Sequence, residues 1–336
     1  PPPPFLLTRP PPRSTLRRSR RQRQMCIRDR GITIRGLTRG PTDRHSVPGV
    51  ELMSGDLSRP DTLTGVARGI DTVIHAAGHA HTRESDDEIH WETTLEGTRH
   101  LLAESKAHDV KRFLFISSVK AMPEPGARCL DESEQRLPTD VYGRSRREAE
   151  ELVLATGKCT GMHVSILRPA LVYGQGCKGN LASLIHWVDR GSFPPVPDTA
   201  NIRSMVDVRD LVRAILLATG KPSANGRVFI ITDGKDSSTH RIYTAIRQEL
   251  GKPLPRWSVP AGLLRSIGIL GDGYEKILRR PAPFNSPMCS RLLDSACYRS
   301  IHAEQVLGFY PEYCFEDALP DMLADYQTRQ SPGCRL

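Results

Sequence analysis

The run Phe113-Leu114-Phe115-Ile116-Ser117-Ser118 is followed, after a polar acidic loop, by Asp140-Val141-Tyr142-Gly143-Arg144-Ser145-Arg146-Arg147-Glu148-Ala149-Glu150. The first stretch reads as a buried strand delivering a serine to its carboxyl end, the second as a helix delivering a tyrosine to the same place. In open α/β sheets that edge is where ligands bind. A tyrosine four residues before a cation shares a helical face with it. A nearby positive charge favours the ionised form of a phenol and makes it usable as a proton acceptor or donor. A serine hydroxyl on the neighbouring strand can hold the oxygen being protonated.

The spacing alone carries little weight. With 8 Tyr and 47 Lys+Arg in 336 residues, chance supplies about one Tyr-x-x-x-Lys/Arg. There are two, the other being Tyr243…Arg247, which has no strand-end serine before it and reads as an ordinary helix face.

Working outward, apolar runs and helical patterns alternate. Strands are expected at Gly31–Arg39, Val50–Met53, Asp71–Gly78, Met162–Pro169 and Arg227–Thr232. Helices are expected at Asp61–Arg68, Trp91–Ala107, Leu181–Arg190, from Asp207 or Asp210 to Leu217, from Ser238-Thr239 onward, and at Leu263–Arg279. Alternation of this kind implies a parallel, doubly wound sheet. The small residues ending the third strand, Ala76-Ala77-Gly78, would let a flat ligand approach the backbone.

The net charge of +9 is unevenly spread. Residues 1–30 hold nine Arg against one Asp, so residues 31–336 carry only +1. The basicity belongs to a segment with seven prolines, which reads as a disordered tail foreign to the fold, from a truncated or misjoined coding sequence. A nucleic-acid arm is the competing reading of that tail. The body gives no case for nucleic acid. The eight cysteines lack C-x-x-C spacing and are expected to be reduced thiols in a cytoplasmic protein without metal. No apolar run approaches the ~20 residues of a membrane span, and the start does not read as a signal peptide. No membrane partner is therefore expected.

The chain resembles the extended short-chain dehydrogenase/reductases, specifically the NAD-dependent epimerase/dehydratase family. The likeness is carried by Gly55-Asp56-Leu57, His75-Ala76-Ala77-Gly78, Phe115-Ile116-Ser117-Ser118, Tyr142-Gly143-Arg144-Ser145, Leu167-Arg168-Pro169 with Val172-Tyr173-Gly174, Arg203-Ser204-Met205-Val206-Asp207-Val208, and Leu307-Gly308-Phe309-Tyr310-Pro311. These occur in family order across about residues 31–328. The subgroup it looks most like acts on nucleotide-linked sugars in bacterial polysaccharide pathways.

The resemblance implies a Rossmann-like doubly wound parallel sheet with a smaller C-terminal α/β substrate lobe. Residues 31–175 would bind NAD(P) and 176–330 would form the substrate lobe, interleaved with the first. Tyr142 would be the general acid/base, Ser118 its partner at the substrate oxygen, and Arg146 would stand where the family has a lysine. Asp56 and Leu57 would hold the adenine, Ala76, Ala77 and Gly78 would line the dinucleotide, and Pro169 and Leu171 would border the nicotinamide. Lys120, Asn180 and Arg203 would meet a nucleotide-sugar substrate. Arg39, with Arg35 earlier on its strand, leans the cofactor toward NADP rather than NAD.

Three departures accompany the likeness. The first strand and its Gly-rich turn are expected to be missing, with no G-x-x-G-x-x-G in residues 1–30. Arg146 cannot lend a proton as lysine does. Thr94 replaces the usual asparagine. No Asp-Glu pair follows Ser118, which favours epimerase or 4-keto reductase over dehydratase. The alternative is a catalytically impaired fragment or non-catalytic binding module of the same fold. By analogy the family's homodimer would use the helices at Trp91–Ala107 and Val141–Ala155.

Overall fold

The computed structural model describes residues 5–7 (backbone only), 33–40, 49–78, 87–278, 280, 282 and 284–330. Seven strands form one parallel sheet: β1 (Phe5–Leu7), β2 (Ile34–Thr38), β3 (Val50–Ser54), β4 (Thr72–His75), β5 (Arg112–Ile116), β6 (His163–Pro169) and, after two short strands, β9 (Arg227–Ile231). Their order is β3-β2-β1-β4-β5-β6-β9, with β7 (Leu171–Tyr173) and β8 (Met205–Asp207) paired separately. The chain reverses its direction of winding between β1 and β4, which places a crevice at the carboxyl ends there.

This corrects one expectation. The first strand is not missing: Phe5–Leu7 pairs in parallel with β2 and with β4 at the centre of the sheet. Three apolar residues between a proline run and an arginine-rich run show no periodicity. A central parallel strand needs no polar–apolar alternation. The remaining expectations for residues 1–30 lie outside the described residues.

Both faces of the sheet are covered, so consecutive apolar residues point to opposite cores. Val73, Phe113, Phe115 and Ile166 enter one cluster with Leu101 and Val153, while Ile74, Leu114 and Leu167 enter another with Leu211, Phe229 and Phe309. The helices on these faces are α1 (Gly97–Ala107), α2 (Val141–Thr160) and α4 (Val208–Gly220). A smaller core joins Tyr173 and Met205 to α3 (Asn180–Asp189), α5 (Thr239–Glu249) and α9 (Phe315–Gln330). Tyr243 lies in this core with Arg247 on its hydroxyl at 3.2 Å, an ordinary helix-face pair.

The expected helix at Asp61–Arg68 is a 3₁₀ turn, Pro60–Leu63, followed by turns. Gly65 and Gly69 both adopt positive φ there and end any helix. The helix before α1 begins with one α turn, Asp87–His90, and a π segment, Trp91–Glu96. Three helices escaped the sequence reading or its boundaries: α7 (Ser286–Leu293), α8 (Ile301–Leu307) and α9; α6 spans Ala261–Leu278.

Candidate active site

Because the seven strands are parallel, their carboxyl ends share one edge, and the residues that follow them meet there. Ser117 extends the ladder, its amide donating to the Leu167 carbonyl at 2.7 Å. Ser118 is extended and caps the short 3₁₀ turn Val119–Ala121, its Oγ accepting the Lys120 amide at 3.2 Å. Asp140 caps α2, its Oδ1 accepting the Gly143 amide at 2.9 Å. A Cβ at position 143 would stand 2.3 Å from the Lys120 carbonyl oxygen. Glycine therefore lets the first turn of α2, with Tyr142, sit directly on the turn that follows Ser118.

Arg146 lies one helical turn beyond Tyr142 and is buried. Its Nη1 donates to the Ile116 carbonyl at 3.0 Å, and its Cζ stands 5.3 Å from the Tyr142 ring centre and 5.7 Å from that of Phe115. A Cβ on Gly78 would fall 2.1 Å from Nη2, so the guanidinium fills the space that glycine leaves open. Arg146 thus ties the ends of β4 and β5 to the tyrosine helix. Its Nε is buried with no hydrogen-bond partner among the described residues. Burial first, and then the Arg146 charge, pushes His75 down to about 3. His75 therefore stays neutral at physiological pH, with Nε2 2.9 Å from Thr98 Oγ1.

His90 was not foreseen. Its ring meets the Tyr142 ring edge-on at 5.4 Å. The sequence signal for it is only its place before Trp91, where the helical pattern opens. Thr94, in the π segment, is buried and its Oγ1 has no partner among the described residues. Such wide turns are frequent at functional sites.

Asp56, expected at the adenine, follows β3, its Oδ1 accepting the Ser58 amide at 3.0 Å, and its neighbour Leu57 is buried. Arg39 follows β2 and is exposed. Arg35, which supported the lean to NADP, is committed elsewhere: it pairs with Glu51 at 2.9 Å and donates to the carbonyls of Val66 and Arg68. Ala76, Ala77 and Gly78 follow β4, partly exposed. Pro169 closes β6, and Leu171 opens β7, exposed.

Apart from Arg35, all of these residues stand at the carboxyl-end edge of the sheet, where they would hold NAD. The pyrophosphate region fits less well, since no glycine occurs between Leu7 and Arg30 to let the backbone approach a phosphate closely.

Two of the substrate candidates converge on Glu124, which pairs with Lys120 and whose charge reaches Arg203. Asn180 is the exposed first residue of α3. Arg203 bridges Ser237 and Ala296 through its backbone, with Nη1 3.3 Å from the Asp294 carbonyl; burial holds its pKa below the usual arginine value. Among the described residues neither Asn180 nor Arg203 hydrogen-bonds Ser118, Tyr142 or Arg146.

Cys129 and Cys297 form a disulfide, which corrects the expectation of reduced thiols throughout. Their separation of 168 residues leaves no local pattern to read. The bond sits in a ladder: the Leu130 amide donates to the Cys297 carbonyl, and the Ser204 amide to the Ala296 carbonyl, both at 3.0 Å. The loop after Ser118 is thereby fastened to the segment that carries Arg203.

A model of the NAD dependent epimerase/dehydratase family matches residues 25–232. The chain is 30% identical to a UDP-glucose 4-epimerase of Vibrio cholerae over 284 residues, covering 82% of this chain and 83% of the relative. It is 28% identical over 222 residues to the N-acetyl-alpha-D-glucosaminyl-diphospho-ditrans,octacis-undecaprenol 4-epimerase of Escherichia coli O157:H7, covering 66% and 65%. Its fold superposes on the UDP-glucose 4-epimerase of Thermotoga maritima with a TM-score of 0.76 at 18% identity, over 98% and 100% of the two chains. With more than half its length matched, its parallel sheet wound in the expected order and its serine, tyrosine and cation at one sheet edge, this chain belongs to the NAD-dependent epimerase/dehydratase family.

Proposed function

We propose that this protein is a 4-epimerase or 4-keto-sugar reductase acting on a nucleotide-linked sugar. The observation that carries this is the junction of Ser118, Tyr142 and Arg146. Gly143 seats the tyrosine helix on the turn after the serine, and Arg146 spans from Tyr142 to the ends of β4 and β5.

NAD or NADP, when bound, supplies the hydride acceptor and donor. Tyr142 takes the proton of the sugar 4-hydroxyl as C4 becomes a carbonyl, and returns it when C4 is reduced again. Ser118 donates a hydrogen bond to that same oxygen, where negative charge gathers during reduction. Arg146 keeps a fixed positive charge beside the phenol and itself transfers no proton. Arg203 and Asn180 meet the substrate diphosphate; a planar guanidinium matches phosphate geometry. Arg39 alone now supports NADP, because Arg35 is held by Glu51.

The full chain should interconvert UDP-glucose and UDP-galactose, or the N-acetylated pair, in an NMR assay with NAD. For a reductase, NADH or NADPH should be consumed with a 4-keto sugar. Tyr142→Phe should lower turnover by about 10²–10⁴-fold. Intact cofactor binding without turnover on any of these sugars would refute the proposal and leave a non-catalytic module of the fold.

A second reading rests on the relative acting on an undecaprenol-linked diphosphosugar. A lipid-carried substrate presents the same diphosphate and sugar. Running the assay in parallel with GlcNAc-diphospho-undecaprenol and UDP-GlcNAc distinguishes the two carriers.

A further inference from the structure

We propose that the hairpin of α6 and α7 docks this protein on an acidic phospholipid surface. On α6, Leu264 and Gly268 face inward, and Leu264 packs with Cys289 and Leu293 of α7. The fit is close: a Cβ on Gly271 would stand 2.0 Å from the Phe284 carbonyl oxygen. The helix has therefore already buried one face.

A second apolar face remains. Leu263, Ile267, Leu270, Tyr274 and Ile277 follow one another at steps of four, three, four and three, which places them along one side of the helix. All five are exposed, Leu270 at 73% and Ile277 at 81%. Trp257, just ahead of the helix, is 65% exposed. An apolar patch of this extent marks an interaction surface.

Charge identifies what covers it. Residues 254–294 hold six Lys/Arg against three Asp/Glu, a net +3, whereas residues 31–336 together carry only +1. The rest of the body is thus slightly acidic, and the surplus of positive charge is concentrated here. The three carboxylates are engaged internally. Asp272 accepts the Ser286 amide at 3.0 Å, Glu275 accepts the Ala282 amide at 2.8 Å, and Asp294 pairs with Arg265 at 3.0 Å. Among the described residues Arg256, Lys276, Arg280 and Arg291 are exposed and enter no ion pair.

A second copy of the chain on this face would bring two such patches of like charge together, which opposes association. An anionic lipid surface complements them instead, while the Leu/Ile stripe and the aromatic rings enter the headgroup boundary. A helix lying in the interface escapes any test based on spanning length, and for that reason the sequence reading expected no membrane partner.

The hairpin ends at the substrate candidate Arg203, whose Nη1 donates to the Asp294 carbonyl. The docking does not depend on which sugar carrier the enzyme uses.

The test is flotation of the full chain with vesicles of phosphatidylcholine alone or mixed equally with phosphatidylglycerol. Quenching of Trp257 emission by brominated lipid is measured alongside. Wild type should float with the acidic vesicles, and its quenching should disappear in Trp257→Phe. Leu270→Glu with Ile277→Glu should cut the bound fraction at least ten-fold while leaving the melting curve and cofactor binding unchanged. Failure of wild type to float overturns the proposal. Equal flotation of the double variant also overturns it, by assigning binding to the arginine-rich residues before position 31. A wild-type dimer that the same variant makes monomeric, in gel filtration without lipid, overturns it in favour of a second copy.

Discussion

The ion pair between Glu150 and Arg168 gives the sharpest stability prediction. Glu150 lies two helical turns beyond Tyr142 and one beyond Arg146, on the same face of α2. Its carboxylate receives Arg168 Nε at 2.9 and 3.2 Å and Nη2 at 2.5 Å, and the two side chains are 2% and 3% exposed. The pair therefore pins the tyrosine helix to β6, one residue before Pro169. Removing Arg168 leaves a carboxylate with neither water nor a counter-charge. Breaking such a pair costs about 3–5 kcal/mol, whereas replacing both members with apolar residues of similar volume is often near neutral. Measured against a total of about 5–15 kcal/mol, the single loss is severe.

The expected outcome is that Arg168→Met lowers the urea-unfolding free energy by about 3–5 kcal/mol, and that adding Glu150→Leu recovers most of it. The comparison is valid where the m-values agree and where circular dichroism and tryptophan fluorescence report coincident transitions. A loss below about 1 kcal/mol for Arg168→Met would mean that the carboxylate finds another partner or water. A double variant as unstable as the single one would mean that the guanidinium's shape, rather than its charge, holds the helix. Either result refutes the reasoning.

Arg146→Met should reduce turnover by about 10²–10³-fold, the loss expected on removing a charged group beside the reacting oxygen, while Arg146→Lys should retain most of it. Gly78→Ala should reproduce the Arg146→Met defect in steady-state assays, because its Cβ would occupy the place of Nη2. Replacing Cys129 and Cys297 with serine opens a loop of 168 residues, and chain entropy sets the loss at about 5 kcal/mol, measured as the difference in urea stability with and without reductant. In the serine pair that difference should vanish. His75 binds its proton far more weakly folded than unfolded, so its contribution is complete above its ordinary value of 6.5 and is lost as pH falls toward about 3. The stability of wild type relative to His75→Gln should therefore drop by about 2 kcal/mol between pH 7 and pH 5. Asp233, raised to about 6 by burial, works the other way: its contribution is present at low pH and lost as pH rises through 6, and it is common to both proteins.

What could be read from the sequence depended on how far apart the interacting residues lie. Ser118 and Tyr142 were legible because a strand end, a helix start and a four-residue spacing are local patterns. Glu150 belongs to the same helical face and could have been added by continuing that spacing one more turn. The Cys129–Cys297 bond, His90 against Tyr142 and Arg35 against Glu51 join segments whose proximity only the sheet order creates. Arg35 in particular looked like a cofactor residue because its strand ends at the cofactor edge. Arg35 is only the second residue of that strand and its register partner is Glu51, a pairing that the sequence of one strand does not reveal.

β1 illustrates the opposite limit. The pattern of a central parallel strand is simply a short apolar run, and Phe5-Leu6-Leu7 supplies the minimum of one. Its identity comes from the two neighbours it pairs with, and the 26 residues between Leu7 and Ile34 are ample for the crossover that parallel pairing requires. The missing glycines then matter for a narrower reason than a missing strand would. The sheet can assemble around β1, so any weakness of this chain toward its cofactor should fall on pyrophosphate contacts and leave folding intact. In direct titrations such a defect should weaken NAD and NADP alike, whereas, under the proposal that Arg39 meets the 2′-phosphate of NADP, a defect at Arg39 should separate them.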